Sequence, residues 1–479
     1  MIPIITPTVM LEEEKVWDIQ DPIKRIETSG RALFENLINH IHSQDHLLFI
    51  VGKGLNGADA LCLAMHCLEA GFEITVMCLY QKSEFKSETS HFYEQLESFN
   101  VIKPFHLPKQ GRYCLIDGVY GAGFKGPVHA DIKALFDQIN LSHFYKIAID
   151  IPSGIEGESG EGKSAIECDL TLSIGLPKWG LFVKQGRSHS GHIDHVEIGL
   201  KKEIGHKKAL GHLLIPDSIA GLYPKEKPSY HKYQRGQVLG LASSSSYRGA
   251  SYLYTKAAYK VGAGLVRLFH EKGSLFFNDL APEVTQHEVD DIDKFLDKQK
   301  IAAVFGPGLM INSAHIQIVS KFLEKNIPCV IDSGALESLN LSKLHPHVVL
   351  TPHIDELKRL LKITTDDFDE MVKLSSNHLL QSGLTLVIKG HHSWILHQDK
   401  KPLIAAFAPL AMATAGSGDV LAGMIGGFLS KGIDSLTATL LGVGLHSLAG
   451  MIAIQNQSPK AIMASDILEA IAEALNDSA

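Results

Sequence analysis

The chain has 479 residues, which is too long for one ordinary hydrophobic core and suits two or three domains. Hydrophobic residues make up 45% of the sequence and charged residues 20%, a balance typical of soluble globular proteins and not of disordered ones. The formal net charge of −8 gives no electrostatic basis for binding nucleic acid or an anionic membrane surface. Any nucleotide must therefore be held in a local pocket.

Cysteine usage and the amino-terminal segment bear on the compartment. The six cysteines form no CxxC pair and lie mostly in apolar runs, which indicates small buried side chains in a reducing compartment. Residues 1–16 lack the basic start and apolar stretch of a signal peptide. No run approaches about eighteen apolar residues, so a membrane span is not expected. We predict a cytoplasmic protein that binds neither nucleic acid nor membrane.

The first half alternates predicted helices with short predicted strands. Helical spacing of apolar residues covers residues 12–42 and 59–70. Short apolar runs typical of buried strands occupy residues 47–51, 74–79, 113–117 and 146–151. Such alternation predicts a parallel sheet, which binds its ligands at the carboxyl ends of the strands.

Three loops follow predicted strands of this sheet, at residues 52–57, 117–127 and 150–154. Two of them are glycine-rich, which lets the backbone approach a ligand closely. Each loop also carries an oxygen ligand, respectively Asn56, Asp117 and Ser153. Such an oxygen set suits a cation like potassium better than zinc. Taken singly, each loop is explained more simply as a turn or a cap.

Three other patterns in this half each suggest a binding site at first sight, and we reject each of these interpretations. Residues 52–57 satisfy GxGxxG, but the acid that a redox dinucleotide domain places after the second strand is absent. Residues 157–164 match the Walker A pattern, but no helix is predicted directly after them. His189, His192 and His195 suggest a metal site, yet this spacing alternates faces in a strand, so we expect a solvated surface.

Together, the three loops resemble the epimerase domain of bifunctional NAD(P)H-hydrate repair enzymes, whose loops contain GxGNNGGDG, DAlfGtG and DIPSG. Residues 150–154 are identical to the third pattern. The resemblance implies a Rossmann-like three-layer αβα fold and K⁺ bound at Asn56, Asp117 and Ser153. It also implies hydrate contacts at Leu55, Asn56, Gly57, Ala58, Asp59, Gly121, Ala122, Gly123, Phe124, Lys125, Gly126, Pro127 and Asp150.

The first loop departs from the family pattern. Leu55 replaces an asparagine, and Ala58 and Ala60 replace glycines. Leucine offers no hydrogen bond to a ribose or phosphate, and each alanine adds a Cβ near a possible close approach. Two interpretations therefore stay open for the first half, an active epimerase and a domain that only binds or acts as a scaffold.

The second half repeats the alternating pattern after a segment rich in proline and charge at residues 223–228. We predict one domain over residues 1–212, a linker over 213–232 and a second domain over 233–479. A helix is predicted over residues 247–261, and residues 419–475 are nearly all helical. Predicted strands occupy residues 237–242, 265–269, 301–305, 329–332, 347–350 and 384–389.

The most informative stretch of the second half is residues 413–423, where GSGD opens a predicted helix. Unpaired amides and the helix dipole make such a turn an anion pocket. Asp419 would lie beside that pocket, placed to take a proton from an attacking hydroxyl. Lys389 follows another strand and can meet a phosphate. Singly, each feature is explained by a turn, a helix start or a solvated lysine.

These motifs resemble the ribokinase-like superfamily, and specifically the ADP-dependent NAD(P)H-hydrate dehydratase domain. TPHxxE at residues 351–356 and GxGDVLAG at 416–423 distinguish it from sugar kinases. The resemblance implies Asp419 as the catalytic base and Ala250, Gly308, His353 and Asp419 as hydrate contacts. It further implies ADP contacts at Lys389, Gly390, His391, His392, Ser393, Gly416 and Gly418. Met310, Ser333 and Gly334 depart from the family pattern.

The two resemblances together imply repair of hydrated NADH and NADPH, termed NADHX and NADPHX. The first domain would interconvert the R and S hydrates with K⁺. The second would phosphorylate the S hydrate with ADP or ATP and Mg²⁺, so that phosphate loss restores the ring. We also predict a homo-oligomer. A rival interpretation is a small-molecule kinase with a degenerate first domain.

Overall fold

A computed structural model describes residues 1–108, 111–242, 244, 246–271, 280–406, 412–456, 458 and 461–478. The chain divides into two compact units. The first unit comprises Ile2–Leu213, and the second comprises Met1 with Leu214–Ala479.

The first unit is built on a six-stranded parallel sheet, as the alternating pattern predicted. The strands lie in the order β3-β2-β4-β5-β6-β7, and β1 pairs with β8 in antiparallel register. The elements are β1 (Ile2–Ile4), α1 (Pro7–Lys15), α2 (Pro22–Leu37), β2 (His46–Val51), α3 (Leu55–Glu69), β3 (Ile74–Cys78), α4 (Ser87–Glu97), β4 (Tyr113–Gly118), α5 (Ala130–Leu141), β5 (Tyr145–Ile149), β6 (Leu170–Ile174), α6 (Gly186–His189), β7 (His192–Val196), α7 (Glu203–Lys208) and β8 (Gly211–Leu213).

Helices cover both faces of this sheet. Successive residues of a strand point to opposite faces, so the apolar residues of each strand are buried on both sides. Leu48 and Ile50 of β2 share one buried cluster with Phe136 of α5. Phe49 points to the opposite face, where α2 and α3 pack, and it is equally buried. A parallel strand buried on both faces reads as a continuous apolar run, which is why β2 was evident in the sequence.

The prediction of one helix over residues 12–42 is wrong, since α1 and α2 are separate helices. Asp21 caps α2 by accepting a hydrogen bond from the amide of Ile23 at 2.9 Å. Pro22 occupies the first position of α2, where its missing amide proton costs nothing. Proline at this position cannot continue a preceding helix, so the chain turns between the two helices.

The predicted solvated surface at His192 and His195 is also wrong. His192 lies on β7 with 11% of its side chain exposed, and its Nε2 lies 2.7 Å from Asp194. His40 contacts the same carboxylate at 2.6 Å. Burial lowers the pKa of His195 to about 4. The cause is α2, which packs against β7. Among the described residues, no three His, Cys, Asp or Glu side chains are grouped to hold a metal ion.

The described residues of the second unit form nine strands in the order β17-β16-β15-β14-β13-β12-β9-β10-β11. The elements are β9 (Gln237–Leu241), α8 (Arg248–Lys260), β10 (Leu265–His270), β11 (Thr285–Glu288), β12 (Ile301–Phe305), α9 (Ser313–Glu324), β13 (Cys329–Ile331), β14 (Val348–Leu350), α10 (Ile354–Leu361), α11 (Phe368–His378), β15 (Thr385–Ile388), β16 (Ser393–His397), β17 (Leu403–Ala405), α12 (Ser417–Ser430), α13 (Ser435–Asn456) and α14 (Ala464–Ser478).

The parallel arrangement holds from β15 to β11, but β15, β16 and β17 pair in antiparallel register. The sequence analysis did not predict β16 and β17. Only residues 389–392 connect β15 to β16. A parallel crossover needs a dozen or more residues, so a connection of this length forces an antiparallel return.

Helix α12 lies at the centre of the second unit and packs against α8, α13 and β12. Helix α13 is long and apolar enough to cross a membrane by length and composition, contrary to the sequence expectation. Inside the unit, 78% of its most apolar window is buried, as in a core helix. Leu214 and Ile219, from the predicted linker, also contribute fully buried side chains to this core.

We predict that Gly423→Ala destabilises the second unit by about 1–3 kcal/mol. A Cβ at Gly423 would lie 2.7 Å from the Cα of Tyr254 on α8. Alanine is more favourable than glycine in a helix by up to about 1 kcal/mol. The steric clash with α8 acts in the opposite direction, and we expect it to make the variant less stable. Urea denaturation followed by circular dichroism measures the change. Gly221→Ala is the control, because a Cβ there meets no atom within 4 Å, and equal stability of the two variants would contradict the prediction.

Candidate active sites

The site of the second unit begins at the amino-terminal end of α12. Gly416 caps this helix with a φ of +91°, a conformation that glycine adopts readily. The first backbone bond of the helix runs from Val420 to Gly416, so the amides of Gly418 and Asp419 have no intrahelical acceptor. Asp419 is half-buried in the first turn. The turn therefore presents amides and one carboxyl group together.

Lys389 lies directly beside this turn. Its Nζ donates to Oδ1 of Asp332 at 2.6 Å and lies 4.0 Å from Oε2 of Glu356. A Cβ on Gly418 would be 3.3 Å from the same Nζ, so the ammonium lies close to the backbone of this turn. The carboxyl ends of β13 and β15 and the start of α12 thus meet at one point.

Asp332 was not assigned a role from the sequence, yet it organises this site. It follows β13 and is 1% exposed. Besides Lys389, its Oδ1 accepts a hydrogen bond from Thr351 at 2.9 Å, and Ser333 lies 3.4 Å from Oδ2. The signals in the sequence were its place at the end of a predicted strand, where ligands of parallel sheets bind, and its match to the aspartate of the dehydratase pattern.

Burial and charge shift both titrating groups of this site. Burial raises the pKa of Asp419 to about 7, the charge of Asp332 adds to the rise and Lys389 opposes it. Burial alone would lower the pKa of Lys389, but the charges of Asp332 and Glu356 raise it above its ordinary value. The site therefore holds a permanent cation beside a carboxyl group that titrates near neutral pH, as a general base requires.

The remaining predicted residues of this half surround the same edge of the sheet. His353 caps α10, its Nδ1 accepting from the amide of Asp355 at 3.2 Å. The amide of Lys389 donates to the carbonyl of Pro352 at 2.8 Å, which brings these two loops together. A Cβ on Gly308 would meet that of Ala250 at 2.8 Å, so these two predicted contacts are neighbours.

Gly390, His391 and His392 form the bend after Lys389, and Ser393 is the first residue of β16. His392 is fully buried. Behind the turn lies a second residue that the sequence analysis did not assign. His446 of α13 places its Nε2 3.3 Å from Oγ of Ser417, and burial lowers its pKa to about 4. A neutral imidazole therefore supports the start of α12.

The first unit brings Asn56, Asp117 and Ser153 together around the backbone of Tyr120. Nδ2 of Asn56 donates to the Tyr120 carbonyl at 3.1 Å, and the Tyr120 amide donates to Oγ of Ser153 at 2.8 Å. Ser153 donates to Asp117 from Oγ at 2.5 Å and from its amide at 2.8 Å. Three loops that are distant in sequence therefore converge at the carboxyl edge of this sheet.

This cluster fits a monovalent cation. Asp117 is fully buried, and burial raises its pKa to about 6. In the described part of the chain Asp117 accepts hydrogen bonds from Ser153 and Val119, and no lysine, arginine or histidine pairs with it. An ionised carboxylate buried without a counter-charge is costly, and a bound cation would offset that cost. The oxygen donors of Asn56, Ser153 and the Tyr120 carbonyl suit a hard cation.

A second group of charges lies beside this cluster, around Asp150. One oxygen of Asp150 pairs with Nζ of Lys178, and the other accepts the amide of Ala122 at 3.3 Å. Lys178 is 2% exposed and also donates to the carbonyl of Ile174 at 2.7 Å. Asp150 has a φ of +68°, a strained backbone conformation of the kind found at functional sites. The sequence analysis assigned no role to Lys178.

The first-loop residues open helix α3. Leu55 is its first residue and is 46% exposed, and Gly57 is buried. Ala58 and Ala60, which replace family glycines, are fully buried. Their methyl groups therefore fill the interior and do not narrow an open site. Asp59 lies in the first turn of α3.

The second loop of the first unit lies against the first and third loops. A Cβ on Gly121 would be 3.2 Å from that of Asn56. Phe124 stacks on Tyr120 with ring centroids 4.7 Å apart, and the amide of Gly126 donates to Glu156 at 2.9 Å. The other predicted loop residues, which follow β4, are Gly123, Lys125 and Pro127.

Comparison with known proteins supports this division into two sites. The family model described as NAD(P)H-hydrate dehydratase matches residues 238–473, and the model described as YjeF-related protein N-terminus matches residues 23–180. A bifunctional NAD(P)H-hydrate repair enzyme of Moorella thermoacetica is 29% identical, over 93% of this chain and 90% of its own. Its counterpart from Coxiella burnetii is also 29% identical, over 92% of each chain.

A solved structure shows the fold of the second unit. The ADP/ATP-dependent NAD(P)H-hydrate dehydratase of Bacillus subtilis, co-crystallised with ATP/Mg²⁺, is 24% identical. It covers 56% of this chain and 99% of its own with a TM-score of 0.50, which confirms the predicted ribokinase-like αβα fold. The matched ranges and the nearly full-length relatives lead to one conclusion: the chain belongs to the bifunctional NAD(P)H-hydrate repair enzymes.

Proposed function

We propose that this protein repairs hydrated NADH and NADPH. The second unit dehydrates the S hydrate with ADP or ATP as phosphoryl donor, and the first unit interconverts the R and S hydrates. The observation that carries this function is the start of α12, where Asp419 lies beside free amides and the Lys389 ammonium. The names of the relatives support it.

The substrate of the second unit carries the added water as a hydroxyl group on its nicotinamide ring. Asp419 takes the hydroxyl proton while the oxygen attacks the terminal phosphoryl group of the nucleotide. The amides of Gly418 and Asp419 stabilise the charge of the transferring group. Phosphate is a much better leaving group than hydroxide, so its loss, with a proton from the neighbouring carbon, restores the reduced ring.

We assign Lys389 to the nucleotide phosphates, with Asp332 holding it in place. Mg²⁺ is bound in many nucleotide sites by one or two carboxylates together with phosphate oxygens. Because the described residues contain no ready-made cluster of acidic ligands, we propose that Mg²⁺ enters with the nucleotide. Ala250, Gly308 and His353 would contact the hydrate, and Gly390, His391, His392, Ser393 and Gly416 the adenine nucleotide.

In the first unit we assign the hydrate to the open side of the three converging loops. K⁺ would be held by Asn56, Asp117 and Ser153, where it would neutralise the buried Asp117 carboxylate. The exposed Leu55 occupies a position where the family pattern has asparagine. Ala58 and Ala60 point into the interior, so they give no reason to regard the site as degenerate.

We further propose that the protein works in the cytoplasm as a homo-oligomer. Its six cysteines are free and five of them are buried, which suits a reducing compartment. Size-exclusion chromatography with light scattering measures the oligomeric state directly.

We predict that Asp419→Asn binds nucleotide normally but turns over at least on the order of a hundredfold more slowly. The amide cannot take the hydroxyl proton, while the phosphate contacts remain. Recovery of the reduced-nicotinamide absorbance from purified S hydrate measures turnover. The control is Asp477→Asn, at an exposed position of α14. Near-normal turnover of Asp419→Asn would refute its assignment as the base.

We predict two effects of Asp332→Asn. Lys389 loses its charged partner, so the KM for nucleotide rises by about tenfold, as expected for a charged hydrogen bond. Removal of a negative charge also lowers the pKa of Asp419, so the acidic limb of the pH–rate profile moves to lower pH. Ser333→Ala is the control, since it leaves the ion pair intact. An unchanged profile would show that the charge of Asp332 does not act on Asp419.

We predict that potassium stabilises the first unit above pH 6 and not well below it. Burial raises the pKa of Asp117 to about 6, so ionisation without a cation costs stability as the pH rises from about 4 through 6. Potassium offsets this loss by mass action. Melting in potassium and choline chloride at equal ionic strength measures the effect. Asp117→Asn should abolish it and Asp137→Asn, at an exposed site on α5, should not; a potassium effect that survives Asp117→Asn would contradict the assignment.

A further inference from the structure

The charges around Asp150 in the first unit go beyond what binding a neutral ring requires. Lys178 is almost completely buried, and a buried ammonium is tolerated only when it is paired and hydrogen-bonded. It pairs with one oxygen of Asp150, while the amide of Ala122 holds the other. Both oxygens of this carboxylate are therefore held in place by hydrogen bonds.

Asp59 lies half-buried in the first turn of α3, and among the described residues no lysine, arginine or histidine forms an ion pair with it. Burial raises its pKa well above the ordinary value, and the charges of Asp150 and Glu14 add to the rise, while Lys178 opposes it. Asp59 therefore retains its proton at a higher pH than an ordinary aspartate. The site thus contains two neighbouring carboxyl groups in different environments, the usual arrangement for an acid and a base.

The other charged groups near this pair are accounted for. Glu14 of α1 lies 3.8 Å from Arg25 of α2, and burial raises its pKa. Asp117 is fully buried and accepts three hydrogen bonds from Ser153 and Val119, so it does not reach a ligand as a proton carrier. Among the carboxyl groups described here, Asp59 and Asp150 combine a place at the predicted hydrate site with these contrasting surroundings.

Epimerisation of a hydrate needs such a pair. Water adds to the enamine of the reduced nicotinamide at the carbon bonded to nitrogen, so the hydroxyl lies beside the ring nitrogen. A proton given to this hydroxyl lets it leave as water while the nitrogen lone pair forms a C=N⁺ bond. Water then adds to the opposite face of that carbon and gives up a proton. Each cycle therefore uses one proton donor and one proton acceptor.

We propose that Asp59 is the acid that protonates the departing hydroxyl and Asp150 is the base that takes the proton from the incoming water, with Lys178 positioning Asp150. The inference rests on the proposed epimerase function of the first unit. After one passage Asp150 carries the proton and Asp59 is ionised. Exchange with solvent returns the proton to Asp59, and the reverse conversion uses the two groups in opposite roles.

The full chain provides an internal control for the test. With excess nucleotide and a mixture of R and S hydrates, the S epimer is dehydrated in a fast phase of absorbance recovery. The R epimer follows in a slow phase, because it must first be epimerised. Asp59→Asn and Asp150→Asn should each slow the slow phase on the order of a hundredfold and leave the fast phase unchanged. Asp137→Asn should alter neither phase.

Three further measurements separate proton transfer from a purely structural role. In ¹⁸O-water the wild-type protein should place ¹⁸O in the hydroxyl of the recovered hydrate, and Asp59→Asn should not. The slow phase should decline at high pH as Asp59 ionises, and Asp59→Asn should lose this decline. Asp59→Glu, which keeps a carboxyl group, should recover part of the rate. Lys178→Met should slow the slow phase and shift its pH profile.

Defined results would overturn the proposal. A slow phase of normal rate in Asp59→Asn or Asp150→Asn would exclude these residues as acid and base. Epimerisation without ¹⁸O exchange would exclude loss and re-addition of water. If the wild-type slow phase were no faster than spontaneous epimerisation, the epimerase function itself would fail, and the inference with it. A slow phase that is fast in the wild type but unaffected by the variants would refute the acid–base pair alone.

Discussion

A lysine paired with a buried or half-buried aspartate at the carboxyl edge of a parallel sheet is the interaction on which both sites depend. In the second unit Lys389 pairs with Asp332, and Asp419 lies nearby. In the first unit Lys178 pairs with Asp150, and Asp59 lies nearby. In each case one carboxylate forms an ion pair with the lysine and the other lies near it without pairing. Because burial penalises the ion that is left without a partner, the pKa values of Asp419 and Asp59 are raised above the ordinary value of an aspartate.

The packing of each unit makes these pairs possible. Helix α12 starts where Gly416 and Gly418 leave room for amides and an ammonium, and it stays there because Gly423 lets it pack closely on α8. The equivalent constraint in the first unit is the meeting of three loops around Tyr120, fixed by hydrogen bonds of Asn56 and Ser153. Each site thus depends on the close approach of backbone segments to one another as much as on its side chains. The family membership also disfavours the rival of a simple kinase, which would have no use for the first unit.

Much of this arrangement could be predicted from the sequence. The strands that are buried on both faces, such as β2 and β12, were evident as apolar runs, and the residues after them include most of the site. The secondary structure was less predictable where a cap, a proline or a short connection overrides the periodic pattern of apolar residues. The break between α1 and α2 depends on a proline and a cap, and the antiparallel return of β16 depends on a connection too short for a crossover. The domain boundaries and the roles of individual site residues stay predictions.

The sequence by itself determined the two α/β units, the family and the loops that carry the chemistry. The spacing of apolar residues and the glycine motifs are local properties of the chain, so they can be read without the fold. Only the tertiary structure decided which charges meet. Nothing local to Asp332 or Lys178 distinguishes a paired, buried group from a solvated one, since each partner lies 57 or 28 residues away. Their ion pairs, and with them the protonation of Asp419 and Asp59, arise only when the strands align and the loops at one edge share a low-dielectric space.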